Sequence, residues 1–142
     1  MIYSRLTSDD VDQIVSLQQS CFPDGWDKQM LVSGLDSGNL LGITAKKDGK
    51  LFAFVTFSVN CDFAEINDIL VLPECRRQGV GKQLLQMVEK QVKTLTQKIF
   101  LEVRERNLPA INLYKSQGFI QLSIRKKYYK DGENALVMHK EL

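Results

Sequence analysis

Apolar residues recur with two periods along this chain, and the two periods divide it into strands and helices. Runs rich in β-branched and aromatic residues predict about seven strands, near residues 2–6, 40–45, 51–59, 63–71, 98–103, 119–129 and 135–139. Apolar residues three and four positions apart predict about four helices, near residues 11–21, 28–35, 80–95 and 108–117. The predicted order of elements is therefore βααβββαβαββ.

Local signals support these boundaries. Asp27 and Asn107 are suitable caps for the second and fourth helices. Asp48-Gly49 and Asp131-Gly132 are typical of tight turns between antiparallel strands. The third helix has a clear apolar stripe, which consists of Leu84, Leu85, Val88, Val92 and Leu95.

The strand at 63–71, the helix at 80–95 and the strand at 98–103 follow one another without a hairpin. A strand, a crossover helix and a second strand in that order give a parallel pair, whereas hairpins give antiparallel pairs. The sequence therefore predicts an α/β (α+β) fold, with a mixed central sheet of about seven strands flanked by about four helices.

Composition agrees with a single domain over residues 1–142, since 44% of the residues are hydrophobic. The longest apolar runs fall far short of the ~20 residues of a membrane-spanning helix, and residues 1–10 do not follow the order of a signal peptide. We therefore expect a cytoplasmic protein with no membrane partner. A net charge of +2 gives no reason to expect direct nucleic-acid binding, and no segment indicates an oligomer interface.

The cysteines and the histidine do not form a metal motif. Cys21, Cys61 and Cys75 are separated by forty and fourteen residues, which matches neither zinc nor redox spacing, and His139 completes no cluster. We expect reduced thiols and no metal.

The segment that joins the strand at 63–71 to the next helix carries the strongest chemical signal. Residues 76–81 read Arg-Arg-Gln-Gly-Val-Gly. The N–H groups that open a helix lack partners and lie at the positive end of its dipole, and glycine lets an anion approach the backbone. Neither a Walker loop nor a dinucleotide fingerprint is present. The segment predicts a phosphate site, and a helix start without a ligand is the alternative interpretation.

This loop resembles the Arg/Gln-x-x-Gly-x-Gly/Ala pyrophosphate loop of the GNAT superfamily of acetyl-CoA-dependent N-acetyltransferases. The predicted order of elements is similar to the GNAT fold along nearly the whole chain. The second half is similar to the RimI-type bacterial enzymes, which acetylate the N-terminal alanine of a small-subunit ribosomal protein. The residues that carry this likeness are Leu101-Glu102-Val103-Arg104, Asn107, Ala110, Leu113-Tyr114, Gly118-Phe119 and the run from Arg125 to Tyr129.

The resemblance implies that acetyl-CoA is the cosubstrate. A strand that separates from its parallel neighbour would bind the pantetheine arm, with help from the residue that caps the fourth helix, and the glycine loop would bind the pyrophosphate. The residues so implied are Ile69, Leu70, Val71, Arg77, Gln78, Gly79, Val80, Gly81, Lys82 and Asn107. The alternative interpretations are a buried strand, solvated charges and a simple helix cap.

Acetyl transfer to an amine needs a base for the ammonium, a donor for the carbonyl oxygen and an acid for the departing thiolate. Alternation along residues 98–104 places Glu102 on the face opposite Leu101. The resemblance implies that Glu102 is the general base and that Tyr114 lies beside the sulfur as the acid. Val71 is our candidate for the donor.

Other interpretations of these residues remain open. Glu65 and Asp68 precede the glycine loop and compete with Glu102 for the role of base. Each carboxylate could instead be an exposed or arginine-paired residue, and Tyr114 could be an aromatic residue packed on its helix.

An α-amino group has a pKa of ~7.7–8.0 and lysine one of ~10.4, so deprotonating lysine costs roughly 3–4 kcal/mol more at neutral pH. A modest base therefore suits a protein N-terminus, and the resemblance favours alanine as its first residue, in a partner that could be a ribosomal protein. The alternatives are an acetyltransferase for lysine or a small amine, and a noncatalytic acyl-CoA-binding or RNA-associated module.

Two segments are candidates for the walls of an acceptor groove. Phe22-Pro23 followed by Trp26 resembles the Phe-Pro-Trp segment of the RimI-type enzymes, although Asp24 and Gly25 are inserted. The basic and aromatic run at 125–130 is interpreted as a hairpin strand and substrate wall, with RNA binding as the alternative.

Overall fold

The computed structural model describes residues 1–21 and 27–142, and the side chains of residues 20 and 21 are outside that description. The predicted turn at 22–26 therefore lies outside the described residues. The strands of the described part are β1 (Ile2–Arg5), β2 (Leu41–Lys47), β3 (Lys50–Val59), β4 (Ala64–Val71), β5 (Lys98–Arg104), β6 (Ile120–Arg125) and β7 (Ala135–Glu141). Its α-helices are α1 (Val11–Cys21), α2 (Lys28–Ser37), α3 (Val80–Val92) and α4 (Leu108–Ser116).

The strands form one mixed sheet in the order β1-β2-β3-β4-β5-β7-β6. The strands β4 and β5 are parallel and are joined by α3, whereas the other neighbouring pairs of this sheet are antiparallel. The predicted fold class and the predicted order of elements are confirmed.

Two apolar cores cover the two faces of the sheet. On one face, α3 and α4 bury Leu84, Val88 and Ile111 against the central strands. On the other face, α1 and α2 bury Ile14 and Leu31 against β3 and β4. Because helices cover both faces, the central strand β3 appears in the sequence as a nearly continuous apolar run.

The predicted caps and the first hairpin turn are confirmed. The side-chain oxygens of Asp27 and Asn107 accept hydrogen bonds from the N–H three residues further on, at 2.8 and 3.3 Å. Such caps each contribute about 1 kcal/mol. Between β2 and β3, Asp48 and Gly49 have positive φ angles of 53° and 78°, as a type I′ turn requires.

The strand predicted at 119–129 is wrong in its length, because β6 ends at Arg125. Lys127 adopts a positive φ of 52°, and its N–H donates to the side-chain oxygen of Asn134 at 3.0 Å. The chain therefore turns before Tyr128 and Tyr129, and both tyrosines lie in the connection between β6 and β7.

The apolar stripe predicted for the third helix is too long by one residue. The helix α3 ends at Val92, and the N–H of Leu95 donates to the carbonyl of Val92 at 2.9 Å, which closes a turn. Leu95 is 62% exposed, whereas the other four residues of the stripe are buried.

The strands β4 and β5 pair over only three residues, 64–66 with 99–101. The register of β4 with β3 passes from Ile66 directly to Asp68 and leaves Asn67 as a β-bulge. A bulge bends its strand, so β4 turns away from β5 at this point. The result is a gap in the middle of the sheet.

We expect Leu84→Ala to lower the free energy of unfolding by about 2–5 kcal/mol, because it leaves a cavity between α3 and the sheet. Leu95→Ala is the matched control, with an expected change within about 0.5 kcal/mol because Leu95 is largely exposed. Urea unfolding followed by circular dichroism measures both variants. Equal losses of stability in the two variants would contradict the conclusion that α3 ends before Leu95 and leaves it exposed.

Candidate active site

The gap leaves backbone groups of β4 without a strand partner. The N–H of Leu72 donates to the carbonyl of Phe52 at 3.0 Å and so points toward β3. Because these groups alternate along a strand, the N–H groups of Ile69 and Val71 point toward the gap. Leu70 points its backbone toward β3, and its side chain lies in the core under α1 and α2. Of the three strand residues predicted to bind the cofactor, Ile69 and Val71 therefore present donors to the gap.

The turn between β4 and α3 has the geometry of an anion-binding loop. Gly79 caps α3 with a left-handed φ of 79°, and Arg77 is also left-handed, with a φ of 62°. The backbone N–H groups that follow have no acceptor within the helix and lie at the positive end of its dipole. These groups belong to Val80, Gly81 and Lys82.

Two side chains of the loop hold its shape. The Nε of Arg76 donates to the carbonyl of Val71 at 3.1 Å, and the Nε2 of Gln78 donates to the carbonyl of Glu74 at 3.1 Å. The side chains of Arg77 and Lys82 are exposed, and both remain accessible to a phosphate.

A close contact joins this loop to α4. A Cβ atom at Gly81 would lie 2.9 Å from Cδ2 of Leu113, so the side chain of Leu113 packs directly against the start of α3. Leu113 directly precedes Tyr114. The start of α3 and the predicted acid are therefore parts of one packed unit.

Glu102 lies on β5 just beyond the last residue that pairs with β4. Ile99, Leu101 and Val103 are buried in the core under α3 and α4, and Glu102 is on the opposite face, as predicted. Its Oε1 is 3.0 Å from the Nε of Arg125, so the arginine-paired interpretation also holds. The hydroxyl of Tyr128 donates to the same carboxylate, and this bond raises the pKa of Tyr128.

Glu65 is the second carboxylate on this face of the sheet. Partial burial and the neighbouring charge of Glu102 raise the pKa of Glu65, and Arg125 opposes that rise. The three side chains therefore form one charged cluster, in which an arriving cation would meet two carboxylates.

Tyr114 lies on α4 in the core of the opposite face, and it is 4% exposed. Burial raises the pKa of its hydroxyl well above the ordinary value, and the charge of Asp68 and the nearby Tyr129 add to the rise. Tyr114 therefore keeps its proton throughout the physiological range. The packed-aromatic interpretation is also correct, since its ring is 6.0 Å from that of Phe119.

Asp68 is the first residue of β4 after the bulge. Burial raises the pKa of its carboxyl to about 6. Its described polar partner is the Nε2 of Gln18 on α1, at 3.4 Å. Asp68 is therefore a third carboxylate at the gap, and it is far more buried than an ordinary surface acid.

Arg104 fixes the connection between β6 and β7. Its Nη1 lies 2.8 Å from Asp131 and 3.0 Å from Glu133, and its guanidinium stacks 4.0 Å from the ring centroid of Tyr129. Burial is the main cause that raises the pKa of Tyr129 to about 12. Sequence reasoning missed this role of Arg104 and the pairing of Arg125 with Glu102, because both contacts depend on which strands are neighbours in the sheet.

Asn107 begins α4 at the end of β5. Its cap uses the side-chain oxygen and leaves the amide nitrogen available for a ligand. No group of three or more possible metal-ligating residues occurs within residues 1–21 and 27–142. In the same part of the chain, no helix is long and apolar enough to span a membrane.

Comparison with known proteins agrees with this geometry. The chain matches the acetyltransferase (GNAT) family over residues 11–119. An N-alpha-acetyltransferase of Sulfurisphaera tokodaii is 32% identical over 95% of this chain and 88% of that protein. The [ribosomal protein bS18]-alanine N-acetyltransferase of Escherichia coli K12 is 32% identical over 95% of this chain and 93% of that protein.

The fold comparison gives the same relative. The crystal structure of the ribosomal-protein-S18-alanine N-acetyltransferase from Escherichia coli has a TM-score of 0.88 and 31% sequence identity, and the match covers 99% of this chain and 92% of that chain. A crystal structure of Ard1 from Thermoplasma volcanium has a TM-score of 0.88 at 22% identity, over 99% of this chain and 97% of that one. The latter likeness supports the fold alone.

A sheet that opens beside a glycine loop, with a carboxylate on one face and a phenol on the other, has the architecture of a CoA-dependent acyltransferase. The chain belongs to the GNAT acetyltransferase family. It is an acetyl-CoA-dependent N-acetyltransferase, so the noncatalytic module considered above is not its class.

We expect Gly79→Ala to raise the Kd for acetyl-CoA by about tenfold. Its left-handed backbone costs an alanine roughly 1–2 kcal/mol, which the loop relieves by leaving the conformation that presents its N–H groups. Gly132→Ala is the matched control, because Gly132 has a φ of 88° and an added Cβ meets none of the described residues within 4 Å at either position. Calorimetric titration that gives both variants the same Kd would contradict the assignment of the loop.

We expect Asp68→Asn to stabilise the protein more at pH 7 than at pH 4. The folded pKa of Asp68, about 6, lies above its ordinary 3.8, so ionising it opposes folding progressively as the pH rises through this window. The gain in the free energy of unfolding at pH 7 exceeds the gain at pH 4 by at most about 3 kcal/mol. Urea unfolding at both pH values measures it, with Asp62→Asn as the exposed control. An equal gain at both pH values would contradict the burial of an ionisable Asp68.

Proposed function

We propose that the protein acetylates the N-terminal α-amino group of a protein, with alanine favoured as the first residue. The observation that carries the proposal is that the sheet opens with Glu102 on one face and Tyr114 on the other. Acetyl-CoA would enter from the side of α3, where the glycine loop lies, and the amine would enter from the side of Glu102. The names of the relatives from Sulfurisphaera tokodaii and Escherichia coli support an α-amine acceptor.

The cofactor would lie along the residues predicted for it. The N–H groups at the start of α3 and the side chain of Arg77 bind the pyrophosphate, and the amide of Asn107 contacts the pantetheine arm. The arm takes the place of a strand partner for the N–H groups of Ile69 and Val71. The N–H of Val71 also donates a hydrogen bond to the carbonyl oxygen of the acetyl group.

Glu102 and Glu65 attract the ammonium of the acceptor, and Glu102 takes its proton. The free amine then attacks the thioester carbonyl directly, and the C–S bond breaks as the tetrahedral intermediate collapses. Tyr114 gives its proton to the sulfur. Because a thiol has a pKa of ~8.5, this transfer is uphill, and it requires the thiolate and the phenol to be in direct contact.

The acceptor peptide would pass the connection between β6 and β7. Arg104 holds this connection with Asp131 and Glu133, so Tyr128 and Tyr129 form a fixed wall beside Glu102. The basic run at 125–130 then acts as a substrate wall. The segment at 22–26, predicted as the opposite wall, is outside the described residues.

We expect Glu102→Gln and Tyr114→Phe each to lower kcat/KM by about 100-fold or more, within the range typical of proton-transfer groups. The Kd for acetyl-CoA stays unchanged, because neither side chain is needed to hold the cofactor. CoA release with a peptide that begins with a free alanine measures the rate. Glu141→Gln, on an exposed carboxylate at the end of β7, is the control.

Two further acceptors test the substrate class. One is the same peptide blocked at its N-terminus and carrying a lysine, and the other is a small polyamine. Turnover of only the lysine peptide or the polyamine would overturn the proposed acceptor. Full activity of both variants would overturn the roles of Glu102 and Tyr114.

A further inference from the structure

Two buried polar atoms lie close to the gap without a hydrogen-bond partner among the described residues. They are the Oε1 of Gln18 on α1 and the Oγ1 of Thr56 on β3. Gln18 is 2% exposed and Thr56 is 1% exposed, so neither atom reaches bulk water. An unsatisfied buried polar atom costs about 1–3 kcal/mol, and such groups in native proteins are usually satisfied by an internal water.

Both atoms belong to the surroundings of Asp68. Thr56 is the cross-strand partner of Asp68, and directly opposed residues in antiparallel strands have Cβ atoms about 4.5–5.5 Å apart. Gln18 reaches the same carboxylate from α1, where its Nε2 lies 3.4 Å from Oδ2. An amide oxygen, a hydroxyl and a carboxylate from three elements therefore lie in one neighbourhood, and they can supply the two to four partners that a buried water needs.

The position of this site is informative. The side chains of Gln18, Thr56 and Asp68 lie on the face of the sheet covered by α1, which is also the face of Glu102. Tyr114 lies on the other face. Because β4 and β5 do not pair here, no strand separates Asp68 from Tyr114, and the charge of Asp68 contributes to the raised pKa of Tyr114.

In the proposed reaction, one of the protons that leave the amine has no assigned acceptor. An ammonium that becomes an amide loses two protons from its nitrogen, and the sulfur gains one from Tyr114. Glu102 takes the first proton before the attack. The second leaves the nitrogen after the attack, and Tyr114 must recover a proton before the next turnover.

We propose that Asp68 is the second proton acceptor of the transfer and works through one water molecule bound by Gln18 and Thr56. This inference rests on the proposed function. The N–H bond of the tetrahedral intermediate breaks, and its proton passes to the water oxygen. One O–H proton of the water passes to the carboxylate of Asp68, so the water is unchanged and Asp68 becomes a neutral acid. Asp68 then returns that proton to the phenolate of Tyr114.

The acidities of the two groups agree with this direction. A carboxyl with a pKa of about 6 is ionised at neutral pH and so can accept a proton. Once protonated, it is a stronger acid than Tyr114, whose pKa burial has raised, so the return of the proton is downhill. In this scheme Asp68 does not contact the substrate, because it acts only through the water and through Tyr114.

Thr56→Val is the variant that tests the water site. Valine keeps the shape of threonine and removes the hydroxyl that would hold the water. We expect kcat with the alanine peptide to fall about tenfold, part of the effect of a proton-transfer group, while the KM for acetyl-CoA is unchanged. Thr96→Val is the matched control, because the Oγ1 of Thr96 is also buried and has no hydrogen-bond partner in the described part of the chain, but Thr96 lies just beyond the end of α3.

A double-mutant cycle tests the link to Tyr114. We expect Asp68→Asn to lower kcat about tenfold or more in the wild type, and to lower it less in the Tyr114→Phe background, because that variant has no phenolate to which Asp68 returns a proton. Fully additive losses would overturn the proposal. So would a Thr56→Val variant with the kcat of Thr96→Val, although the wild type would then still acetylate the alanine peptide. A wild type inactive on that peptide would overturn the proposed function, and this inference with it.

Discussion

The separation of β4 from β5 after three paired residues is the constraint on which the site depends. Backbone N–H groups in the middle of a sheet normally bond to the next strand, and leaving them unpaired costs stability. Here the bulge at Asn67 turns β4 away, and the N–H groups of Ile69 and Val71 remain without a strand. A ligand with extended amide groups can occupy that place as a substitute strand. Under the proposed function, binding of the cofactor would therefore also complete the sheet.

The same gap separates two environments that acetyl transfer needs. On the face of α1, Glu65, Glu102 and Asp68 provide negative charge for an arriving ammonium, and Arg125 limits their mutual repulsion. On the opposite face, Tyr114 is surrounded by apolar residues that keep its hydroxyl protonated. An intact sheet would have kept these environments apart. In the proposed mechanism, the opening would let one thioester contact both environments.

The parts of the fold that depend on local pattern could be predicted from the sequence. Periodicity gave the strands and helices, and the side-chain caps Asp27 and Asn107 marked two helix starts. The errors concern places where tertiary contacts decide. Leu95 continues the helical period, but the chain has already turned at Val92. Tyr128 continues a β-rich run, but Lys127 has adopted a left-handed conformation before it.

In the candidate site, too, the features set by consecutive residues could be predicted and those set by tertiary contacts could not. The glycine loop was evident because its signal is contained in six consecutive residues. The pairing of Glu102 with Arg125 was not evident, since it requires β7 to lie between β5 and β6. The proximity of Gln18, Thr56 and Asp68 could not be predicted either, because the three residues lie on three elements and each alone has an ordinary sequence context.

The contact between Gly81 and Leu113 has a consequence for how the protein selects its donor. The helix start that would receive the phosphates and the phenol that would meet the sulfur belong to one packed core, since Val80 and Tyr114 are both buried in it. The separation of the two is therefore set by the packing of α3 and α4. A thioester on a shorter arm would reach only one of them.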